Sequence, residues 1–334
     1  MKNKNIAIVG ATGAVGREFA ACIESRGVPV KSLRLLASAR SAGRTQTFRG
    51  QTLTIEELTE GSFDGIDIAL FSAGSGISRQ YAPIAVKAGA VVVDNSSAFR
   101  ADPSVPLVVP EINARRIASH KGIIANPNCS AVTALVPLWP VHQANRVKRL
   151  IISTYQAASG GGAAMMQELE ESTRAHLDGR DYAPKVVKYP YAFNLFSHNT
   201  AIDMDTGYND EETKVMTEAR KIFEDDAMAI NATCIRVPVL RAHSVSMTFT
   251  CERPITPGEV RALLEKAPGV KVVDDWANNY FPMPKDASGQ GDVLAGRIRK
   301  DLSDPSGHSI SMFVAADQLL KGAALNAVQI AELV

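Results

Sequence analysis

Ile6-Ala7-Ile8-Val9-Gly10-Ala11-Thr12-Gly13-Ala14-Val15-Gly16 is the stretch whose reading decides the fold. Four consecutive apolar residues suit a short strand buried on both faces, as a parallel sheet requires. A glycine turn follows, and residues 17–26 then read as a helix. In the order strand, glycine turn, helix, Gly10 permits the tight turn, Gly13 lets backbone approach a pyrophosphate, and Gly16 lets helix and strand pack closely. The spacing moves the middle glycine one place from the commoner G-x-G-x-x-G. The turn is either a phosphate cradle made by Gly10, Thr12, Gly13, Ala14, Val15 and Gly16 or a merely structural bend, and its context favours the cradle.

Outward from this motif, short apolar runs recur at Ser32-Leu33-Arg34-Leu35-Leu36, Ile68-Ala69-Leu70-Phe71, Val91-Val92-Val93 and Gly122-Ile123-Ile124, with a helical stretch at 77–88. Alternation of this kind predicts an α/β fold with a Rossmann-like, doubly wound parallel sheet that binds ligands at the carboxyl ends of its strands. The polar turns Ser72-Ala73-Gly74-Ser75 and Asp94-Asn95-Ser96-Ser97 then belong to a cofactor crevice. The second strand runs into Ala37-Ser38-Ala39-Arg40-Ser41, where an NAD-binding chain would carry a carboxylate for the ribose diol. An arginine fork with Ser38 and Ser41 suits a 2′-phosphate instead, so NADP is the expected cofactor. The plain alternative makes Arg40 a solvated loop charge.

Past the predicted parallel sheet stands Ala125-Asn126-Pro127-Asn128-Cys129-Ser130, followed by the helix-compatible run 131–136. Cys129 is thereby expected in the first turn of a helix. Unpaired amides and the positive end of the dipole favour a thiolate there. It is a nucleophile or a buried cysteine acting as a small hydrophobe. If it is the nucleophile, Asn128 and the Cys129 amide are the natural donors to an oxyanion.

From about residue 150 the pattern changes. Arg149-Leu150-Ile151-Ile152-Ser153-Thr154-Tyr155, Cys234-Ile235-Arg236-Val237-Pro238-Val239 and Ser244-Val245-Ser246-Met247-Thr248-Phe249-Thr250 read as strands of a mixed or antiparallel sheet with helices on one side, an α+β second domain. The expected division is a cofactor domain of 1–128 with a returning helix at 317–334, and a catalytic and dimerisation domain of 129–316. At 334 residues with 46% hydrophobic composition the chain can fill two cores. A net charge of +1 gives no general attraction to nucleic acid or to acidic membranes. The four cysteines have no paired spacing and the six histidines no metal spacing, so a reduced, cytoplasmic protein without a metal or a secretory leader is expected. His120, His142, His176, His198 and His308 read as surface or structural residues.

Together with the glycine turn, Asn126-Pro127-Asn128-Cys129-Ser130, Tyr155-Gln156-Ala157-Ala158-Ser159-Gly160, Arg236-Val237-Pro238-Val239-Leu240-Arg241-Ala242-His243-Ser244 and Leu320-Lys321-Gly322-Ala323-Ala324-Leu325-Asn326 resemble the aspartate-semialdehyde dehydrogenase family over nearly the whole chain. The resemblance implies Cys129 as nucleophile, Gln156 to orient the intermediate and His243 as acid/base. It implies Arg236 for the substrate carboxylate, Glu211 for its amino group, and Arg100 with Lys214 for phosphate. Gly74, Gly160 and Asn326 would lie on the cofactor side, and the assembly would be a homodimer or tetramer built through the second domain. The implied reaction is NADPH-dependent reduction of aspartyl phosphate to aspartate semialdehyde in the synthesis of lysine, threonine and methionine. Bland alternatives stand beside it: Arg236 paired with a structural glutamate, Glu211 and Lys214 as an exposed helix ion pair, Arg100 as a surface charge. Ala131 and Gly161 depart from the family pattern, and Arg241 adds a charge near the proposed base. A reductase of N-acetyl-glutamyl phosphate differs by Pro-Gly before its cysteine, and a silent paralogue would lack Cys129 or His243.

Overall fold

A computed structural model describes residues 3–334, with Met1 and Lys2 outside it. In chain order the elements are β1 (Lys4–Val9), α1 (Ala14–Ser25), β2 (Val30–Ala37), β3 (Thr45–Phe48), β4 (Gln51–Glu57), β5 (Ile68–Phe71), α2 (Ser75–Lys87), β6 (Val91–Asp94), α3 (Pro110–Asn113) and β7 (Ile123–Ala125). They continue as α4 (Cys129–Ala144), β8 (Val147–Gln156), α5 (Ala163–Leu177), β9 (Phe196–Ser197), α6 (Asp210–Phe223), β10 (Ala229–Arg236) and β11 (His243–Cys251). The last are α7 (Pro257–Leu264), β12 (Val270–Val272), α8 (Pro284–Ala287), β13 (Val293–Lys300), β14 (Ser309–Ala316) and α9 (Leu325–Glu332). Two units result, residues 1–128 with 323–334 and residues 129–322. Among the described residues no helix is long and apolar enough to cross a membrane.

The first unit is built on a sheet of order β3-β4-β2-β1-β5-β6-β7, parallel except for the edge strand β3. Ile6 to Val9 and Ile68 to Phe71 are almost wholly buried, so each large apolar side chain contributes about 1.5–3 kcal/mol of transfer energy. The connection from β1 leads to β2 on one side, and β5 lies on the other, which makes β1/β5 the switch point of the doubly wound sheet. Helix α9 returns to this unit, fastened by Arg26 to both oxygens of Glu332 at 2.8 and 2.7 Å.

The second unit carries a mixed sheet of order β12-β13-β14-β11-β8-β10-β9. Strands β8 and β10 are parallel, and β11 runs antiparallel on the other side of β8. The strands before and after Leu240 are therefore not hairpin partners; they flank β8. Pro238, which has no N–H to give a ladder, follows the end of β10 at Arg236. In consequence Gln156, Arg236 and His243 emerge at the same end of three neighbouring strands.

The run 317–331, expected as one helix, is divided. Strand β14 ends at Ala316, a π-helical turn spans Leu320–Ala324, and only then does α9 begin. The return to the first unit comes at Ala323 rather than at 317. Gly322 explains the irregular turn: a Cβ there would lie 2.8 Å from the Cβ of Cys129. The π-turn brings bare backbone against the start of α4, a use typical of such turns.

Candidate active site

In the first unit the glycine turn occupies the switch point. Gly10 has φ +89°, and a Cβ on it would overlap the carbonyl of Ser72 at the end of β5. A Cβ on Gly16 would overlap the Gly10 carbonyl. Gly13 is the N-cap of α1, so the amides of Ala14, Val15 and Gly16 precede the first intrahelical bond, from Arg17 to the Gly13 carbonyl. Such a cradle suits a pyrophosphate, and the residues present fit a dinucleotide. Gly74, with φ +89°, caps α2 at the end of β5 in the same way.

Beyond β2, Ser38 caps a 3-10 turn Ala39–Ser41 that leaves Arg40 exposed. A cavity of about 360 Å³ beside the glycine turn is lined by Thr12, Arg17, Arg44, Thr45 and Gln46, among others. Arg17 and Arg44 were not singled out from sequence, because a lone arginine on a helix start or loop carries no pattern.

Two other residues of this unit have firm partners. Half-buried Arg100 donates from Nε to the Asn126 carbonyl at 2.9 Å and from Nη2 to the Asn95 carbonyl at 2.6 Å, so it is no loose surface charge. Asn326 is fully buried and gives its amide hydrogens to Asn126 Oδ1 at 2.7 Å and the Val108 carbonyl at 3.0 Å.

In the second unit, Cys129 is the first residue of α4, directly after buried Asn128. Along α4, Ser130 to Leu138 are buried, including Ala131. Such a helix sits rigidly in the core, and its N-terminal dipole favours a thiolate at Cys129.

Around the ends of β8, β10 and β11 the remaining polar residues form one bonded cluster. Arg236 and Gln156 are register partners. Buried Gln156 donates from Nε2 to Glu211 Oε1 at 3.2 Å and accepts from Thr154 Oγ1 at 3.0 Å. Glu211, 7% exposed, stands in the first turn of α6, where the capping box of Asn209 and Glu212 fixes the helix start. Its burial rules out the exposed ion-pair alternative for Glu211 and half-buried Lys214.

The backbone of Ala157 is the hub: its N–H donates to His243 Nδ1 at 3.0 Å and its carbonyl accepts from Arg236 Nη1 at 3.1 Å. Gly160 closes the same corner. A Cβ there would lie 3.0 Å from His243 Nε2 and 3.1 Å from Arg236 Nη1, so the two nitrogens converge on it. At Gly161 a Cβ would strike Met165, which accounts for glycine at that departure from the family.

Arg236 is 4% exposed, and its bonds run to Ala157, Asn199 and His198, none to a carboxylate. The structural glutamate is therefore not its partner. His243 is fully buried, and no group among the described residues bonds its Nε2. Burial first, then the charges of Arg236 and His198, hold its pKa well below the ordinary value. Arg241, next but one in the chain, pairs with Asp317 at 2.6 Å.

Of the surface or structural places expected for His198, the surface is excluded. The residue is 7% exposed and lies 2.7 Å from Arg236 through Nε2. Burial and then Arg236 push its pKa down to about 4. It stands in a loop without periodicity, so no sequence signal could have assigned it to the cluster.

These two rings give the protein an acid sensitivity. Unfolded, each takes a proton as pH falls through the ordinary 6.5, while the folded sites refuse it until far lower. Stability is thus full above that value and declines below it, by about 1.4 kcal/mol per pH unit for each ring. Melting temperature is expected to fall between about pH 7 and about pH 5, and His198→Gln to remove about one proton from the slope. An unchanged slope in the variant would contradict the assignment.

The chain matches the family model described as semialdehyde dehydrogenase, NAD binding domain over residues 5–120, and that described as semialdehyde dehydrogenase, dimerisation domain over residues 138–321. It is 50% identical to the aspartate-semialdehyde dehydrogenase of Synechocystis sp. over 98% of this chain and 96% of that protein. Against the enzyme of that name from Aquifex aeolicus it is 49% identical over 98% and 97%. A crystal structure of aspartate semialdehyde dehydrogenase II from Vibrio cholerae complexed with ASA superposes with a TM-score of 0.96 at 41% identity, covering 100% of this chain and 98% of that one. On these matches, spanning both units, the chain belongs to the aspartate-semialdehyde dehydrogenase family of enzymes.

Proposed function

We propose that the chain catalyses the reversible reductive dephosphorylation of aspartyl 4-phosphate to aspartate 4-semialdehyde and phosphate, with NADP and through a thioester on Cys129, in the synthesis of lysine, threonine and methionine. The observation that carries this reading is Arg236: a buried guanidinium with only neutral partners, beside the unpartnered Nε2 of His243. A buried charge of this kind is costly unless an anion joins it, and a substrate carboxylate is that anion. Glu211 in the same cluster suits a free amino group, which an N-acetylated substrate lacks.

The Cys129 thiolate attacks the acyl carbon and phosphate departs, with Arg100 and Lys214 as its partners. Asn128 and the Cys129 amide donate to the oxyanion. Because Nδ1 of His243 accepts from Ala157, the neutral ring carries its proton on Nε2, where it donates to the reacting oxygen. Gln156 orients the thioester from its bond to Glu211. NADP, when bound by the glycine cradle with Ser38, Arg40, Ser41, Ser72, Gly74, Gly160 and Asn326, supplies the hydride chemistry. Collapse of the reduced adduct returns the thiolate and frees the aldehyde.

The cofactor preference rests on Arg40. In the Arg40→Ala variant NADPH should weaken roughly tenfold or more by fluorescence titration, with NADH little changed, since only the former carries the 2′-phosphate. Equal losses for both would contradict it. Assembly as a homodimer is supported by the second unit's sheet: α4, α6 and α7 pack on one face, while Tyr155, 37% exposed, and Phe313 lie ring to ring at 6.1 Å on the other. The decisive assay is phosphate-dependent NADPH formation from aspartate semialdehyde, with N-acetyl-glutamate semialdehyde as the control. Faster turnover of the control would overturn the substrate assignment.

A further inference from the structure

We propose that His198 is a positioning residue that aims Arg236 at the substrate carboxylate while leaving the guanidinium charge unneutralised. The inference rests on the substrate reading above and assigns part of its recognition to a residue outside the reacting groups.

A guanidinium has donors only, so at 2.7 Å the Nε2 of His198 is the acceptor for Arg236 Nη2. The imidazole is then neutral and carries its proton on Nδ1. That nitrogen lies 3.3 Å from Thr200 Oγ1, which also accepts the N–H of Glu211 at 3.3 Å. Every bond in the chain Glu211, Thr200, His198, Arg236 thus has one allowed direction. Burial and the neighbouring guanidinium hold the ring neutral down to about pH 4.

Arg236 directs three N–H groups at neutral acceptors: the Ala157 carbonyl, Asn199 Oδ1 and His198. One hydrogen on each Nη nitrogen remains, and a carboxylate takes such a pair bidentately. A glutamate in place of the histidine could hold the fork equally still, but it would cancel the charge the substrate needs. An imidazole fixes direction without supplying a counter-ion. Through His198 and Thr200, Arg236 is thereby tied to the backbone N–H of Glu211 at the start of α6.

The test compares His198→Gln, His198→Glu and His198→Leu by steady-state kinetics with aspartate semialdehyde, phosphate and NADP, with NADP affinity and melting temperature measured on each. Glutamine keeps a neutral acceptor and should leave KM within about threefold of wild type. Leucine removes the acceptor and should raise KM about tenfold. Glutamate, matched to glutamine in size, should raise KM on the order of hundredfold by occupying Arg236, with NADP affinity unchanged. A purely structural role would rank the variants by size and polarity and could not separate glutamine from glutamate. Equal KM values for those two, with an active wild type, overturn the inference alone. If the glutamate variant does not fold, equal KM values for leucine and glutamine overturn it. A wild type inactive on aspartate semialdehyde overturns the substrate reading, and this inference falls with it.

Discussion

Cys129→Ser is expected to lower turnover by about 10⁴-fold or more while the cofactor still binds. Serine is nearly the size of cysteine, so the close contact between Gly322 and the Cys129 Cβ is kept and the start of α4 is undisturbed. What changes is ionisation. A hydroxyl does not form an anion near neutrality even at a helix N-terminus, whereas a thiol there does. Steady-state rates with aspartate semialdehyde and phosphate, alongside NADPH titration, check both halves. Activity within tenfold of wild type would remove Cys129 as nucleophile.

The second large effect separates recognition from chemistry. Arg236→Leu should raise KM for aspartate semialdehyde by about 10²-fold, and part of the loss should appear in kcat because the carboxylate anchors the reacting pose. His243→Asn should instead lower kcat by about 10²–10⁴-fold with a smaller change in KM, since it removes the proton-bearing Nε2. An Arg236→Leu enzyme with an unchanged KM would leave the buried guanidinium without a substrate role.

The parts of the fold legible in the sequence are those where burial is complete. Strands β1, β5 and β6 are covered on both faces and read as unbroken apolar runs. Strands β3 and β4 carry no such signal, because Thr45 to Phe48 at the sheet edge and Gln51 to Glu57 beside it are mostly exposed, with no apolar period. The run from Cys234 reads as strand through Val239, since Val237 and Val239 look like strand residues, whereas β10 ends at Arg236 because Pro238 prevents the ladder from continuing. At the site, Cys129 showed itself through local order alone, a cysteine between a strand and a helix. Gln156, Glu211, Arg236 and His243 were named from resemblance, and their bonding could not be seen because it depends on β8 lying between β10 and β11. His198 and Ala157 carry no signal at all: one is a histidine in a loop, the other acts through its backbone.

That backbone unit sets a limit on how the enzyme can change. The Ala157 N–H, in the peptide shared with Gln156, aims the imidazole, and the Ala157 carbonyl, in the peptide that follows, aims the guanidinium. The two planes meet at the Ala157 Cα, so moving that residue to suit a longer or shorter substrate would shift the supports of both side chains. On the roles proposed for Arg236 and His243, specificity and rate are linked through this one residue. Replacements at Arg236 and His243 share one rigid support, so their effects cannot be summed as if the two sites were independent.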